Sequence, residues 1–164
     1  MTKIGLLSDT HGFVDDRLLS FFDSVDEIWH AGDIGNLEAL YALKKFKPIK
    51  AVFGNIDGHE IRLECPKYLR FKCEQVEVLI THIGGYPGKY FPEVRDILKK
   101  NPPNLFICGH SHILKVIYDK KLDFMFMNPG AAGMSGFHKV RTAIRFCIDG
   151  KNFKDMEVLE IQRK

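Results

Sequence analysis

Seven side chains that can bind a metal ion each follow a short apolar run in this sequence. They are Asp9, His11, Asp33, Asn55, His82, His110 and His112. Their donor atoms are carboxylate oxygens, an amide oxygen and imidazole nitrogens, without a thiolate, and this mixture suits divalent manganese, iron, cobalt, nickel or zinc. Seven ligands are too many for one tetrahedral ion, so the set predicts two ions that share a carboxylate. Two ions roughly 3.5–4 Å apart can hold a phosphoryl oxygen and generate a hydroxide between them, which is phosphate-ester chemistry.

The spacing of these residues strengthens the prediction. Asp9 and His11 lie two positions apart, as do His110 and His112. On extended backbone, residues i and i+2 point to the same side, so we expect each pair to face one crevice. A single Asp-x-His or Gly-Asp is a weak signal, and one histidine alone is better explained as an ordinary loop residue. All of these motifs in this order are a strong signal.

The apolar runs that precede these side chains are typical of short buried strands. They are 3–7, 27–29, 49–53, 76–80, 105–108 and 124–127. Helix signals alternate with the first runs, because residues 14–22 have acidic residues in their first turn and Asn36 can cap a helix with the apolar stripe Leu37, Leu40, Tyr41 and Leu43. A further helix is predicted to begin near Pro92. This alternation predicts an α/β fold whose parallel strands end at one common edge.

The second half of the chain has a different pattern. A hairpin is predicted around residues 119–121, and two further strands, 139–149 and 156–161, are joined at Asp149-Gly150. Antiparallel strands after β-α-β units favour two packed sheets with helices outside. The sequence contains no repeat or linker, so we predict a single domain over residues 1–164.

Composition limits the classes of function. The net charge is only +3 and the basic residues are scattered or paired, so nucleic acid is not an expected partner. The four cysteines form no Cys-x-x-Cys pair and are predicted to be free thiols of a reducing compartment. No segment resembles a signal peptide or a membrane span, which leads us to expect a cytoplasmic protein without a membrane partner. Homo-oligomer formation stays open.

The motifs together resemble a known family. The order "DTH", "GD", "GN", a strand-ending "TH", "GHSH" and "NPGA" resembles the calcineurin-like metallophosphoesterase superfamily, and within it the small, single-domain YfcE-type phosphodiesterases. The resemblance covers residues 3 to about 149. It implies an α/β fold, a four-layer α/β/β/α sandwich of two mixed β-sheets flanked by helices, with a dinuclear site at the strand ends.

The same resemblance divides the ligands between two metal ions. The first ion would be held by Asp9, His11, Asp33 and His112, and the second by Asp33 as a bridge with Asn55, His82 and His110. Asp33, Asn55 and His82 are the predicted catalytic residues. The expected ions are manganese first, with nickel, zinc, iron or cobalt as alternatives. Asn128, in "NPGA", would brace the histidine loop rather than bind metal.

One position departs from the superfamily pattern. Many members have a histidine after Gly-Asn that is thought to protonate the leaving group, and Ile56 stands there in this chain. The replacement of this histidine by isoleucine favours substrates with good leaving groups, or protonation of the leaving group by water. The loop "THIGGYPGKY" also departs from the usual "THG". We expect it to form a lid over the site and to give a substrate preference different from that of members with the usual motif.

Other residues near these motifs have ordinary explanations. His30 is interpreted as a packed strand residue, His59 as a surface-loop residue, and His138 as a structural residue at the start of a late strand. For Asp57 two roles stay open, orienting the ligands or beginning a turn with Gly58.

Two functional hypotheses follow. The first is a metal-dependent phosphoesterase, a phosphodiesterase by preference, that acts on a small-molecule phosphate ester with a hydroxide bridging two divalent ions. The alternative is a non-catalytic scaffold or interaction protein, like the retromer subunit that shares this fold but has an incomplete ligand set. Every ligand position is filled in this chain, which favours the enzyme.

Overall fold

The structure, a computed structural model, describes residues 1–163. Lys164, the last residue of the predicted domain, lies outside the described residues. The strands are β1 Thr2–Leu7, β2 Glu27–His30, β3 Ile49–Ala51, β4 Tyr68–Cys73, β5 Val76–Thr81, β6 Gly85–Tyr86, β7 Lys89–Tyr90, β8 Leu105–Ile107, β9 Leu114–Asp119, β10 Phe124–Pro129, β11 Val140–Asp149 and β12 Asn152–Gln162. The helices are α1 Asp16–Phe21, α2 Leu37–Phe46, α3 His59–Glu64 and α4 Pro92–Lys100.

The strands form two mixed sheets. The first has the order β12-β11-β1-β2-β3, in which β1, β2 and β3 are parallel and β11 and β12 are antiparallel to their neighbours. The second has the order β4-β5-β8-β10-β9, with β5, β8 and β10 parallel and the two edge strands antiparallel. The parallel strands therefore lie at one side of the first sheet and at the centre of the second, and antiparallel strands complete both sheets.

The two sheets pack face to face, with helices outside. The layer between the sheets is filled by buried apolar side chains from both, among them Ile4, Leu6, Trp29, Val78, Ile80 and Ile107. Leu18 of α1 and Leu43 of α2 pack on the outer face of the first sheet. Val94 and Leu98 of α4 pack on the outer face of the second. These layers confirm the predicted α/β/β/α sandwich of two mixed sheets.

α2 and α4 begin where Asn36 and Pro92 predict, and α1 is also capped. The Asp15 side chain accepts a hydrogen bond from the backbone N–H of Leu18 at the start of α1, and Asn36 accepts one from Ala39 at the start of α2. Pro92 is the first residue of α4. Tyr41 does not belong to the buried stripe of α2, because its side chain is 45% exposed.

Several element predictions were wrong in detail. β4 and α3 were not predicted, and His59 begins α3 rather than lying in a loop. β3 ends at Ala51, two residues early, and β12 begins at Asn152 rather than Met156. The "THIGGYPGKY" segment contains a small antiparallel ribbon made by β6 and β7.

Two expectations concern the chain as a whole. The four cysteines, Cys65, Cys73, Cys108 and Cys147, are free and buried, as predicted. Within residues 1–163, no helix has the length and apolar character needed to cross a bilayer.

Candidate metal centre

The predicted ligands lie at matching ends of the two sheets. Asp9, Asp33 and Asn55 follow β1, β2 and β3 of the first sheet. His82 follows β5 of the second sheet, and His110 and His112 follow β8. The crevice is therefore built by two sheets that face each other, whereas the strand-end pattern predicted the edge of one parallel sheet.

The ligand loops do not have the extended backbone that the spacing predicted. Five of the seven predicted ligands have a positive φ: Asp9 at 54°, His11 at 47°, Asp33 at 55°, His110 at 71° and His112 at 62°. This left-handed conformation is costly for residues other than glycine, and it concentrates at functional sites where the surroundings enforce it. The predicted extended backbone was therefore wrong, although both pairs face the crevice as expected.

Six of the ligands form two groups that could each hold a metal ion. Asp9, His11 and His112 make the first group, and Asp33, His82 and His110 make the second. Within each group the candidate donor atoms lie within 4.8 Å of one another. The two histidines of "GHSH" thus lie in different groups. Asn55 joins the second, because its Oδ1 lies 3.0 Å from His110 Nδ1.

Asp33 lies between the two groups. Its Oδ2 is 3.4 Å from His11 Nε2 of the first group and 3.2 Å from His82 Nε2 of its own. Its other oxygen, Oδ1, accepts a hydrogen bond from the backbone N–H of Ile56 at 3.0 Å. One carboxylate oxygen is therefore held by the protein, and the other faces both histidines, as a bridging ligand requires.

Buried polar atoms without a partner point into this crevice. They are Asp9 Oδ1, His11 Nε2 and His82 Nε2. An unpartnered buried polar atom costs free energy, and each such group in a folded protein requires an explanation, such as an ion. These atoms, together with the oxygen and imidazole donors around them, fit divalent metal ions.

The charges of the site also favour the binding of cations. Burial opposes the ionisation of Asp9, but the neighbouring imidazoles of His11 and His112, together with the hydrogen bond from the Ser8 hydroxyl, outweigh it and hold the pKa of Asp9 well below its usual range. Burial likewise opposes protonation of His82, yet Asp33 and Asp9 raise its pKa. Asp9 therefore stays ionised, and its negative charge favours cations in the crevice.

Asp9 is oriented by two hydrogen bonds that the sequence did not predict. Its Oδ2 accepts hydrogen bonds from the Ser8 hydroxyl at 2.6 Å and from the His110 backbone N–H at 3.1 Å. Both donors act on one oxygen, so Oδ1 remains directed at the metal-binding groups. The small size of Gly109 is required here, since a Cβ at that position would collide with the Ser8 hydroxyl.

The tautomers of two ligands follow from their partners. His82 Nδ1 lies 2.8 Å from the Ala31 carbonyl and must donate to it, which leaves Nε2 with a free lone pair. His138 Nε2 donates to the Gly133 carbonyl at 2.8 Å. Its Nδ1 therefore accepts from His112 Nδ1, 3.1 Å away, and His112 Nε2 is free for a metal.

His138 was interpreted as structural, and its contact with His112 was missed. Burial lowers the pKa of His138, which favours the neutral ring that this chain of hydrogen bonds needs. The loop approaches closely because Gly136 has a φ of 125° and carries no side chain against the His112 ring. The glycines at 133 and 136 were the only signal in the sequence that this segment lies against another.

His30 links the loops of the first sheet. It is fully buried, its Nδ1 accepts from the Gly32 backbone N–H at 3.1 Å, and its Nε2 lies 3.0 Å from the Thr10 hydroxyl. Thr10 in turn donates to the Ile34 carbonyl at 2.8 Å. The packed strand residue that we predicted also joins the Asp9 loop to the Asp33 loop.

Asp57 joins the Asp33 loop to the Asn55 loop. Its buried carboxylate accepts backbone hydrogen bonds from Ile34 at 3.1 Å, Gly35 at 2.8 Å and Gly54 at 2.8 Å. Of the two roles left open, the structure shows the orienting one, because the carboxylate holds two ligand loops in a fixed relation.

Asn128 braces the histidine loop, as expected. Its amide nitrogen donates to the Gly109 carbonyl and to the Ser111 hydroxyl, each at 3.1 Å, and its oxygen accepts from the Gly130 backbone N–H. All of its hydrogen-bonding groups point at the loops rather than at the ligand groups.

The sequence profile of the calcineurin-like phosphoesterase superfamily domain matches residues 2–151. The chain belongs to this superfamily. A relative from Methanothermobacter thermautotrophicus, named as a probable metallophosphoesterase, is 29% identical over 133 residues, which cover 78% of this chain and 76% of the relative. Membership of the superfamily supports a phosphoesterase that uses divalent metal ions.

Solved structures of the superfamily fold match nearly the whole chain. An archaeal protein described as a novel phosphodiesterase superposes with a TM-score of 0.74 at 21% identity, covering 96% of this chain and 99% of that one. Vps29 from Chaetomium thermophilum superposes with a TM-score of 0.77 at 13% identity, covering 99% and 98%. At these low identities the matches establish the shared fold only. An activity has to be argued from the geometry of the site.

Proposed function

We propose that this protein hydrolyses small-molecule phosphate esters, phosphodiesters by preference, with two divalent ions held by Asp9, His11, Asp33, Asn55, His82, His110 and His112. The observation that carries the proposal is the pair of ligand groups with Asp33 Oδ2 between them. When bound, two such ions supply a hydroxide nucleophile and neutralise charge on the phosphoryl group. Manganese is the first candidate, and nickel, zinc, iron or cobalt would suit the same donors.

The chain's own residues prepare this centre. Asp9 and Asp33 provide the negative charge that retains the ions, and the free Nε2 atoms of His11, His82 and His112 complete it. The buried hydrogen bonds of His30 and Asp57 hold the loops in place before any ion binds. Preorganised charges of this kind stabilise a developing negative charge without rearrangement during the reaction.

The site offers little help to the leaving group. Ile56 occupies the position of the histidine found in many superfamily members, and its side chain is 46% exposed beside Asn55. Isoleucine cannot donate a proton, so departure depends on a leaving group of low pKa or on water. This favours aryl esters and other activated diesters over simple alkyl esters.

The alternative is a scaffold, for which the likeness to the fold of Vps29 is the relevant observation. A scaffold has no need of unpartnered buried donors, of ligand loops in left-handed backbone or of a bridging carboxylate. All three features are retained in this chain, and they favour the enzyme.

The test compares turnover and metal content in matched variants. Purified protein is stripped of metal, reloaded with Mn²⁺, Ni²⁺ or Zn²⁺, and assayed on bis(4-nitrophenyl) phosphate and 4-nitrophenyl phosphate. Asp33→Ala and His82→Ala should lose nearly all activity, because the bridge or a ligand of the second group is gone. Asp16→Ala and His59→Ala alter exposed residues of α1 and α3 and should behave like the wild type.

Two results would contradict the proposal. Metal-loaded wild-type protein that hydrolyses neither ester would favour the scaffold. Activity that persists in Asp33→Ala at the wild-type level would show that hydrolysis arises elsewhere, for example from a contaminant.

A further inference from the structure

A pocket of about 250 Å³ opens beside the second ligand group. Asn55 and His82 form one wall, and Phe53, Arg62, Lys67 and Phe91 contribute to the rest. Pockets that hold whole drug-sized ligands occupy roughly 300–1,000 Å³. This smaller space suits one substituent of an ester whose phosphorus is held at the adjacent ligands.

The charges in the pocket leave one cation free. Lys67 Nζ pairs with Glu93 Oε2 at 3.1 Å, and both side chains lie at the pocket. Arg62 forms no ion pair with any residue of the described chain, 1–163. The pocket therefore carries a net positive charge, contributed by Arg62, next to candidate metal ligands.

Arg62 is also held in position. Its Nε donates to the Asp57 carbonyl at 2.7 Å, and its guanidinium carbon lies 4.4 Å from the centre of the Phe53 ring. These contacts use one N–H and one face of the guanidinium, so the two terminal amino groups remain available. A planar fork fixed in this way binds the oxygens of a phosphoryl group in a bidentate manner.

We propose that this pocket binds a second phosphoryl group, carried by one alcohol of the substrate. The inference rests on the proposed function, because the scissile phosphate must lie at the metal ligands. Arg62 binds the second phosphoryl group, while Phe53 and Phe91 cover the carbon chain between the two phosphates. The substrate class is then a small phosphodiester in which one of the two alcohols is itself phosphorylated.

The test measures binding, so that it does not depend on turnover. Linear diol bisphosphates with two, three and four carbons are titrated calorimetrically into Mn²⁺-loaded protein, each beside the alkyl monophosphate of equal length. The bisphosphate of the best length should bind at least ~10-fold more tightly than its monophosphate, as expected for an added charge-assisted bidentate contact. The series of lengths is included because the span between the two phosphates is set by the unknown alcohol.

Variants assign the preference to Arg62. Arg62→Met should bind each bisphosphate and its monophosphate with nearly equal affinity, and Arg62→Lys, which keeps the charge without the fork, should retain part of the difference. Arg17→Met, an exposed position in α1 outside the pocket, should keep the full preference. Thermal unfolding of each variant establishes that it folds. If Arg62→Met does not fold, the affinities of Arg62→Lys decide whether the preference depends on the guanidinium.

The outcomes separate this inference from the proposed function. If no bisphosphate binds more tightly than its monophosphate, or if Arg62→Met keeps the preference, the pocket is misassigned, even when the esters are hydrolysed. If the preference exists and depends on Arg62 but no ester is hydrolysed, the pocket assignment stands and the proposed hydrolysis is wrong.

Discussion

Removing His138 should weaken metal binding in a protein that still folds. The His138 ring accepts a hydrogen bond from His112 Nδ1 and donates one to the Gly133 carbonyl, so it selects the tautomer in which His112 Nε2 is free. In His138→Ala, His112 can place its proton on Nε2 or turn away from Asp9 Oδ1, which lies 3.2 Å from Nε2. Either change removes a donor from the first ligand group.

The magnitude follows from the hydrogen bonds that the substitution removes. Mutation of a residue that orients a metal ligand typically costs about 10–100-fold in metal affinity, which corresponds to about 1.4–2.7 kcal/mol. The fold itself loses two hydrogen bonds at a half-buried ring, at a net cost of roughly 0.5–1.5 kcal/mol each. We therefore expect clearly weaker Mn²⁺ binding in a protein that still unfolds cooperatively.

The assay is calorimetric titration of Mn²⁺ into metal-stripped protein, with urea unfolding of the same samples. His138→Asn is the informative companion variant, because an asparagine oxygen can stand near the position of the histidine Nδ1 and accept the same hydrogen bond. His59→Ala, an exposed histidine of α3, controls for the loss of an imidazole. Wild-type affinity in His138→Ala, or equal weakening in His138→Asn and His138→Ala, would refute the orienting role.

Two further predictions concern the loops. Asp57→Ala leaves the backbone N–H groups of Ile34, Gly35 and Gly54 without their acceptor and should lower the free energy of unfolding in urea by at least about 3 kcal/mol; a loss below about 1 kcal/mol would contradict the role given to this carboxylate. Burial lowers the pKa of His30 from 6.5 to about 4, so between these values the unfolded chain binds a proton that the folded chain does not. Stability should therefore fall as the pH drops from 6.5 to 4, by up to about 3 kcal/mol for this group, and urea unfolding of His30→Gln across that range should show a shallower slope than the wild type.

Much of the fold was predictable from local patterns. The apolar runs marked the central strands of both sheets, and the caps at Asn36 and Pro92 marked where α2 and α4 begin. β4 was not predicted because its residues are only partly buried and its apolar and polar residues alternate weakly, as expected for an edge strand. Tyr41 was misplaced because its helical spacing suits a buried stripe, whereas α2 turns that side chain to solvent.

The candidate site was predictable to a different extent. The types and the order of the seven candidate ligands could be predicted because each follows a strand. In an α/β fold, the residues that follow the strand ends lie at a common crevice. The conformation of the ligand loops was not, since the spacing of Asp9 and His11 is equally compatible with extended and left-handed backbone. His138 was missed because a half-buried loop histidine carries no local pattern.

By itself, the sequence determined the α/β class, the identities of the candidate metal donors and the chemistry that such donors would allow. These properties depend on residue types and on short periodicities, which are local features of the chain. Tertiary structure alone decided which donors meet, through contacts such as the His110 backbone N–H on Asp9 Oδ2, 101 positions apart. It also set Asp33 between the two groups and left Arg62 beside them without an ion pair to any of residues 1–163. The reason is that the packing of one sheet on the other brings together segments that no local pattern relates.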